Sequence, residues 1–312
     1  MTERVVVISP RGFCAGVVRA IATVERALQK FGRPIYVRRA IVHNAEVVAR
    51  LAAAGAIFVD ELDDVPTGSV VVFSAHGVAP SVRAQAHARQ LKVVDATCPL
   101  VAKVHREVRR FSEAGYQVLL VGDAGHDEVV GTLGQAPSAR LVEPGSDVSR
   151  LSAVDSERVA CVTQTTLSPH DVAPVVDQLR KRFPSLAAPA ATDICFATRN
   201  RQAAVTWLAR SVDIVLVVGD WTSSNSRRLR EAASATGTPA YLIRSVADIQ
   251  DTWLVGIDVV GVSAGSSTPE HLVSEVVDQF RRKGATVEQK VFLDERVSFA
   301  LPRQVAEQGG RA

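Results

Sequence analysis

The chain has few aromatic residues, little net charge and no long apolar run, and each shortage excludes a class of protein. Aromatic residues make up 5% of the 312 positions, so Val, Ala, Leu and Ile must fill the core that 47% hydrophobic residues can form. The formal net charge of +3 gives little reason to expect nucleic-acid or membrane binding, although it suits a small anionic substrate. No segment approaches roughly 18 apolar residues in a row, and no signal-peptide-like run opens the chain, so we expect a soluble, cytoplasmic protein.

Cysteine is also scarce. Four cysteines in a cytoplasmic chain argue against a disulfide framework and favour a metal, a cluster or catalysis. Cys14, Cys98 and Cys195 are separated by 84 and 97 residues, which matches no zinc-finger or ferredoxin spacing. Any site that they share must therefore be assembled by tertiary structure. Cys161 lies inside an apolar run, where a buried core residue is expected.

Three of the four cysteines open copies of one pattern. Each of these follows a turn-like segment and precedes a predicted helix, over Val17–Phe31, Leu100–Ala114 and Arg199–Ala209. A strand and a polar turn then follow, and the turn begins 28 or 29 residues after the cysteine: His43-Asn44, His126-Asp127-Glu128 and Ser223-Ser224-Asn225. A second strand ends in another polar turn, which contains His76, Thr165 or Ser267, and Pro80, Pro169 or Pro269 then starts a helix. The chain therefore contains an internal repeat.

Short Val/Ile-rich runs alternate with amphipathic helical stretches throughout, which indicates an α/β fold with mostly parallel sheets and crossover helices. The predicted strands are Val5–Ile8, Ile35–Val37, Val70–Phe73, Val118–Val121, Val159–Val162, Ile214–Val218 and Val259–Val262. We expect three related α/β lobes over residues 1–97, 98–194 and 195–312, the last with a C-terminal tail. Because ligands gather at the carboxyl ends of parallel strands, the polar turns could face one site.

The three repeated cysteines predict a shared metal site. Thiolates select iron–sulfur clusters or zinc, and three ligands rather than four leave one metal position open for a substrate. A 4Fe–4S cluster with three cysteines would carry one such free iron.

The polar turns have a chemical interpretation and a purely structural one. His126 and Glu128 could move protons if they face a pocket, or they could belong to a solvated loop. His43 and His76 suit phosphate oxygens, and each could equally be a structural histidine. The segments 223–226 and 265–268 resemble anion-binding loops, although a Ser-rich loop alone is more often a helix cap. Two such loops together with two histidines favour a diphosphate site.

The same residues carry a close resemblance to the LytB/IspH family of 4-hydroxy-3-methylbut-2-enyl diphosphate reductases. The matching segments span nearly the whole chain in the family's order, and together they are more specific than any single motif. They are Pro-Arg-Gly-Phe-Cys14-Ala-Gly-Val, Val-His43-Asn, Ser-Ala-His76-Gly-Val, Asp-Ala-Thr-Cys98-Pro-Leu-Val, Gly-His126-Asp-Glu128-Val, Thr-Gln-Thr165-Thr-Leu-Ser, Asp-Ile-Cys195-Phe-Ala-Thr-Arg-Asn-Arg-Gln and Ser223-Ser-Asn225-Ser.

The resemblance implies a reductive dehydroxylation at a central 4Fe–4S cluster. It implies that Cys14, Cys98 and Cys195 hold the cluster, that the substrate hydroxyl binds the open iron, and that isopentenyl and dimethylallyl diphosphate are formed in the last step of the non-mevalonate isoprenoid pathway. Glu128 would supply protons, and Thr165 and His126 would order that network. The implied diphosphate ligands are His43, His76, Ser223, Ser224, Asn225 and Ser267. Ferredoxin or flavodoxin would supply electrons, and we expect a monomer.

The chain departs from the family pattern at Asp127, where the family usually has proline. A second carboxylate there could raise the pKa of Glu128 if both are buried. Three other functions stay open at this stage: a redox-neutral 4Fe–4S hydro-lyase, a zinc protein using the same thiolates, and a diphosphate-binding redox sensor without catalysis.

Overall fold

The computed structural model describes residues 2–151, 157–189 and 192–306, so residues 307–312 of the predicted tail lie outside the described residues. The strands are β1 Arg4–Ser9, β2 Ile35–Arg38, β3 Ala56–Val59, β4 Val70–Phe73, β5 Lys92–Asp95, β6 Gln117–Val121, β7 Arg140–Val142, β8 Val159–Thr163, β9 Ile214–Val218, β10 Ala240–Ile243, β11 Val259–Ala264 and β12 Thr286–Val291. The helices are α1 Ala15–Phe31, α2 Ala45–Ala53, α3 Pro80–Ala88, α4 Pro99–Glu113, α5 Asp127–Leu133, α6 Pro169–Arg182, α7 Phe196–Ala209, α8 Ser224–Ser234 and α9 Glu270–Arg282.

The chain divides into two compact units. The first contains the described residues within Met1–Ala15, His43–Ala45 and Phe196–Val297, and the second contains those within Gly16–Val42, Glu46–Cys195 and Ser298–Ala312.

The first unit contains one parallel sheet of five strands, in the order β10-β9-β11-β1-β12. Its central strand β1 is apolar on both faces, since Val5 and Val7 on one face are 0% exposed and Val6 and Ile8 on the other are 4% and 0% exposed. Such continuous Val-rich strands are typical of parallel sheets that are covered on both sides. On one face of this sheet, the α9 side chains Val273, Val276 and Phe280 form a core cluster with Ile214, Leu216 and Val218 of β9.

The second unit contains two smaller parallel sheets, in the orders β3-β2-β4-β5 and β7-β6-β8. Strands β6 and β8 are buried along their whole length. Helix α4 covers one side of the smaller sheet, because Val104 and Val108 pack with Val118 and Leu120. Cys161 of β8 belongs to the core on the other side, with Leu119 and Leu179.

The predicted fold class is confirmed: the protein is α/β, with three sheets whose strand pairs are parallel. All seven predicted strands are present, with ends within two residues of those predicted. The predicted cysteine-led helices begin one to three residues earlier than expected. Pro80 and Pro169 start their helices, whereas Pro269 is the N-cap residue and α9 starts at Glu270.

The three segments that precede the repeated cysteines pair in a similar way. β1, which precedes Cys14, pairs with β11 and β12, and β5, which precedes Cys98, pairs with β4. Before Cys195, Ala187 forms a parallel bridge with Ala160 of β8. In each case the segment before a cysteine therefore pairs with the strand that precedes the polar turn containing Ser267, His76 or Thr165. The lobe boundaries at 97/98 and 194/195 stay a prediction.

Within the described residues, no helix combines the length and the apolar character that a membrane crossing would need.

Candidate active site

The three repeated cysteines have the same position relative to a helix. Cys98 is the N-cap residue of α4, and Cys14 and Cys195 directly precede α1 and α7. All three are half-buried, and none of the four cysteines, all in the described part of the chain, is in a disulfide. The N-terminus of a helix favours a thiolate, because the unpaired N–H groups and the helix dipole stabilise negative charge.

The same backbone contact fixes all three cysteines. The N–H of Cys14 donates to the Ser266 carbonyl (3.1 Å), that of Cys98 to the Ala75 carbonyl (2.9 Å) and that of Cys195 to the Thr165 carbonyl (3.0 Å). The segment before each cysteine pairs with a strand. The acceptor carbonyl lies in the polar turn that follows that strand. The repeat seen in the sequence is therefore also a repeat of geometry.

Cys161 differs from the other cysteines in its surroundings. It is 4% exposed, and burial in the apolar core raises the pKa of its thiol to about 12. A thiol that keeps its proton is a poor metal ligand, so the predicted core role agrees with its position.

In the second unit, Glu128 lies at the centre of a group that we name the carboxyl cluster: His76, His126, Glu128 and Thr165. Both Glu128 oxygens accept hydrogen bonds from Thr165, from the backbone N–H (2.7 Å) and from the hydroxyl (2.9 Å). Because the Thr165 carbonyl also accepts the Cys195 N–H, a single residue joins the carboxyl to the cysteine.

Glu128 was expected in a loop, and the structure places it in the first turn of α5 instead. His126 is the N-cap residue, and its Nδ1 accepts from the Glu128 N–H at 3.2 Å. With Nδ1 as an acceptor, a neutral His126 carries its proton on Nε2 and can donate it outward. The rings of His76 and His126 meet edge to face, with centroids 5.6 Å apart.

The carboxyl group of Glu128 has an unusual proton affinity. The residue is 2% exposed, and this burial raises its pKa to about 7, although the hydrogen bonds from Thr165 oppose the rise. The nearby carboxylates of Asp193 and Asp123 add to it. A carboxyl group with a pKa near neutrality can hold a proton and give it up at ordinary pH.

The condition set for an effect of Asp127 on Glu128 is not met, because the Asp127 side chain is only partly buried, and the leading causes of the raised Glu128 pKa are burial and the carboxylates of Asp193 and Asp123. Its carboxylate forms an ion pair with Arg39, which also contacts Glu61 at 3.2 Å, and it lies 4.0 Å from His76 Nδ1. The charge of Asp127 is therefore paired with a guanidinium.

In the first unit, five predicted residues form a group that we name the hydroxyl cluster: His43, Ser223, Ser224, Asn225 and Ser267. Ser223 is the N-cap residue of α8, so this polar segment is the first turn of a helix as well as a loop. Asn225 Oδ1 accepts from the Ser266 N–H (2.8 Å), and the Ser267 hydroxyl donates to the His43 carbonyl (2.9 Å). Ser266 thus joins the hydroxyl cluster to Cys14.

The side-chain amide of Asn225 is buried and has an unused hydrogen-bond donor. The residue is 2% exposed, and its Nδ2 has no hydrogen-bond partner among the residues that the structure describes. An unpartnered buried donor is costly unless a ligand uses it. Together with the helix N-terminus, this arrangement can bind an anion through neutral groups.

Sequence reasoning missed Asp193, which lies two residues before Cys195. Its buried carboxylate accepts from the Thr163 N–H (3.0 Å) and from Lys103 Nζ (2.9 Å). Burial and the hydrogen bond to Asp193 raise the pKa of the neighbouring Glu107 to about 7. The position of an acidic residue close to a repeated cysteine could have drawn attention to Asp193. Its pairing with Lys103 could not be predicted, because the two residues are 90 positions apart in the sequence.

The chain is similar to proteins of a known family. A family model described as LytB protein matches residues 5–281. A 4-hydroxy-3-methylbut-2-enyl diphosphate reductase of Azoarcus sp. (strain BH72) is 52% identical over 307 residues, which cover 98% of both chains. The protein of the same name from Hahella chejuensis is 53% identical and covers 95% of this chain and 96% of its own.

Two solved structures are also similar. The E-1-hydroxy-2-methyl-but-2-enyl-4-diphosphate reductase of Plasmodium falciparum matches with a TM-score of 0.94 and 36% identity, over 98% of this chain and 97% of that one. A second structure, described as (E)-4-hydroxy-3-methyl-but-2-enyl diphosphate reductase, the terminal enzyme of the non-mevalonate pathway, has a TM-score of 0.65 and 32% identity. It covers 90% of this chain and 100% of its own.

Proposed function

Because this chain belongs to the LytB protein family and is a 4-hydroxy-3-methylbut-2-enyl diphosphate reductase of isoprenoid biosynthesis, we propose the roles of its residues in that reaction. The C–O bond of the substrate alcohol breaks, two electrons and two protons are consumed, and water leaves. The products are isopentenyl and dimethylallyl diphosphate, in the last step of the non-mevalonate pathway.

We propose that Cys14, Cys98 and Cys195 hold one 4Fe–4S cluster. Three half-buried cysteines, each at a helix N-terminus and each fixed by the same backbone contact, suit a soft thiolate-bound centre. When bound, the cluster would relay the two electrons one at a time from an external donor and would offer an iron without a cysteine ligand as a Lewis acid. Cys161 is excluded from this ligand set by its buried, protonated thiol.

Glu128 is the proton donor in this proposal, and one observation carries it: a fully buried carboxyl with a pKa of about 7 is joined through Thr165 to Cys195. Glu128 holds the proton that the leaving oxygen requires. Thr165 keeps the carboxyl oriented through two hydrogen bonds, and His126 fixes the first turn of α5. Burial also keeps bulk water from the proton until it is transferred.

The hydroxyl cluster binds the diphosphate. Ser223, Ser224 and Asn225 stand at the N-terminus of α8, where backbone N–H groups and the unpartnered amide favour an anion. Ser267 and His43 contribute from the adjoining segments, and His76 and His126 supply imidazole donors. Ferredoxin or flavodoxin is the proposed electron source. The monomeric state and the cytoplasmic location stay predictions.

The test is anaerobic oxidation of a reduced viologen by the iron-reconstituted protein, with and without the substrate. We expect substrate-dependent oxidation that yields both five-carbon diphosphates. Turnover without a reductant would instead support the hydro-lyase, and substrate binding without any consumption of reductant would support the sensor. A colourless protein that contains zinc after strictly anaerobic purification would contradict the cluster.

A further inference from the structure

Arg201, on α7 in the first unit, is a buried residue with 1% exposure. Its Nε and Nη2 donate to the Gly12 carbonyl at 3.1 and 3.0 Å, and Nη2 also reaches the Phe13 carbonyl at 3.4 Å. Gly12 and Phe13 are the two residues before Cys14. A buried guanidinium therefore binds the backbone of the segment that presents this cysteine.

The other side of this segment is fixed by backbone contacts. The Gly12 N–H donates to the Ala264 carbonyl (3.2 Å), and the Cys14 N–H donates to the Ser266 carbonyl. Gly12 adopts a φ of +61°, and a Cβ there would lie 3.2 Å from the Thr268 carbonyl oxygen. Arg201 thus donates to the carbonyls of a segment in which the Gly12 and Cys14 N–H groups already have backbone partners.

The charge of Arg201 is balanced by Glu295, which belongs to the segment after β12. Arg201 Nη1 contacts Glu295 Oε2 at 2.9 Å, and Asn200 Nδ2 donates to Glu295 Oε1 at 2.9 Å. The side chains of Arg201 and Glu295 are 2% and 14% exposed. Within the same segment, the Phe292 N–H donates to the Ser9 carbonyl at 2.8 Å.

We propose that Arg201 is a positioning residue for Cys14, and that Glu295 is the counter-ion that makes its burial possible. The guanidinium fork holds two successive carbonyls before Cys14, so the thiolate is presented in one place before and during metal binding. A lysine cannot reproduce this arrangement, because its single ammonium lacks the rigid planar fork that places donors on separate nitrogens. The proposal rests on the proposed role of Cys14 as a cluster ligand.

The test follows which cysteine is released first when the cluster is removed. The reconstituted protein is treated anaerobically with an iron chelator, pulses of iodoacetamide label released thiols, and tryptic peptides are counted by mass spectrometry. Cys14 and Cys98 fall in separate peptides, 12–19 and 93–103, so each sample contains its own reference.

For Arg201→Lys we expect the ratio of Cys14 to Cys98 labelling to rise at least about fivefold over the wild-type ratio. Glu295→Gln keeps an acceptor for the guanidinium, so the expected rise is smaller, about twofold. A change that only weakens the whole fold would speed both cysteines and leave the ratio unchanged.

The chain offers a matched control in Glu270→Gln. Glu270 pairs with Arg11, the residue directly before Gly12, but this pair is more exposed, with Glu270 57% accessible. We expect the wild-type labelling ratio in this variant.

An unchanged ratio in both Arg201→Lys and Glu295→Gln would overturn the proposal. Should Arg201→Lys fail to fold, the Glu295→Gln ratio decides. If the wild-type chain binds no iron, the proposed function fails, and the same ratio measured on the metal-free chain still decides the role of Arg201.

Discussion

The hydroxyl cluster of the first unit and the carboxyl cluster of the second unit are built on the same repeat but differ in charge. Both lie where parallel strands end and helices begin, and both are joined to a cysteine through one backbone contact, at Ser266 and Thr165 respectively. At the start of α8 the first unit places Ser223, Ser224 and Asn225, which do not titrate near neutral pH. At the start of α5 the second unit places a histidine and a buried carboxyl group.

Under the proposed roles, one local frame serves two chemical tasks. A diphosphate already carries several negative charges, so neutral donors at a helix N-terminus can bind it without a buried counter-ion. Proton transfer needs a group whose pKa lies near the working pH, and burial of Glu128 achieves this. The division of labour predicts that variants of the two clusters fail in different ways.

The largest effect is expected for Glu128→Gln, which keeps the shape of the side chain and removes its proton. Turnover should fall roughly 10²- to 10⁴-fold, with cluster content and KM nearly unchanged, because only proton delivery is lost. Steady-state viologen oxidation and iron analysis measure both. Glu113→Gln, on the exposed end of α4, is the control with wild-type turnover. Normal turnover in Glu128→Gln would refute the proton-donor role.

Asn225→Ala should impair substrate binding rather than turnover, the reverse of the effect expected for Glu128→Gln. Loss of the buried amide removes a donor to a charged ligand, so KM should rise roughly 10- to 100-fold while kcat changes much less. Ser234→Ala, at the other end of α8, provides the control. A fall in kcat at constant KM would mean that the hydroxyl cluster takes part in chemistry, and the comparison between the clusters would break down.

The two clusters should also differ in how they affect the pH dependence of the free energy of unfolding. The Glu128 pKa is raised from 4.5 to about 7, so between these values the folded protein holds a proton that the unfolded chain releases. The free energy of unfolding must therefore fall as pH rises through this window, by at most about 3 kcal/mol. Urea unfolding of the metal-free protein at about pH 5 and about pH 8 measures this fall, and Glu128→Gln should reduce it. Asn225→Ala should leave it as in the wild type, and an identical fall in all three proteins would place the titration elsewhere.

The smallest effect is expected for Asp127→Asn. It removes the carboxylate that pairs with Arg39, at a cost of about 0.5–1 kcal/mol, since both side chains are partly exposed. Because burial, Asp193 and Asp123 are the leading causes of the raised Glu128 pKa, the pH dependence of turnover should not move. A shift of that profile by more than about one pH unit would show that the two carboxylates are coupled after all.

The local sequence pattern was sufficient to predict many of the strands and helix starts. The Val-rich runs predict β4, β8 and β9, because strands buried on both faces must be continuously apolar. Helix starts at Pro80 and Pro169 follow from the fixed φ of proline, and the core position of Cys161 follows from its apolar neighbours.

Tertiary structure decided the features that depend on residues far apart in the chain. The pairing of β1 with β11 and β12 joins segments more than 250 residues apart, and no local propensity encodes it. The pKa of Glu128 depends on enclosure by other elements, and the neutralisation of Asp127 depends on Arg39, 88 residues away. The sequence by itself determined which residue types stand at strand ends and helix starts, since these preferences are local. Only the folded chain decided which of them are buried, paired or left with a donor to offer, because burial and hydrogen bonding are properties of the surroundings.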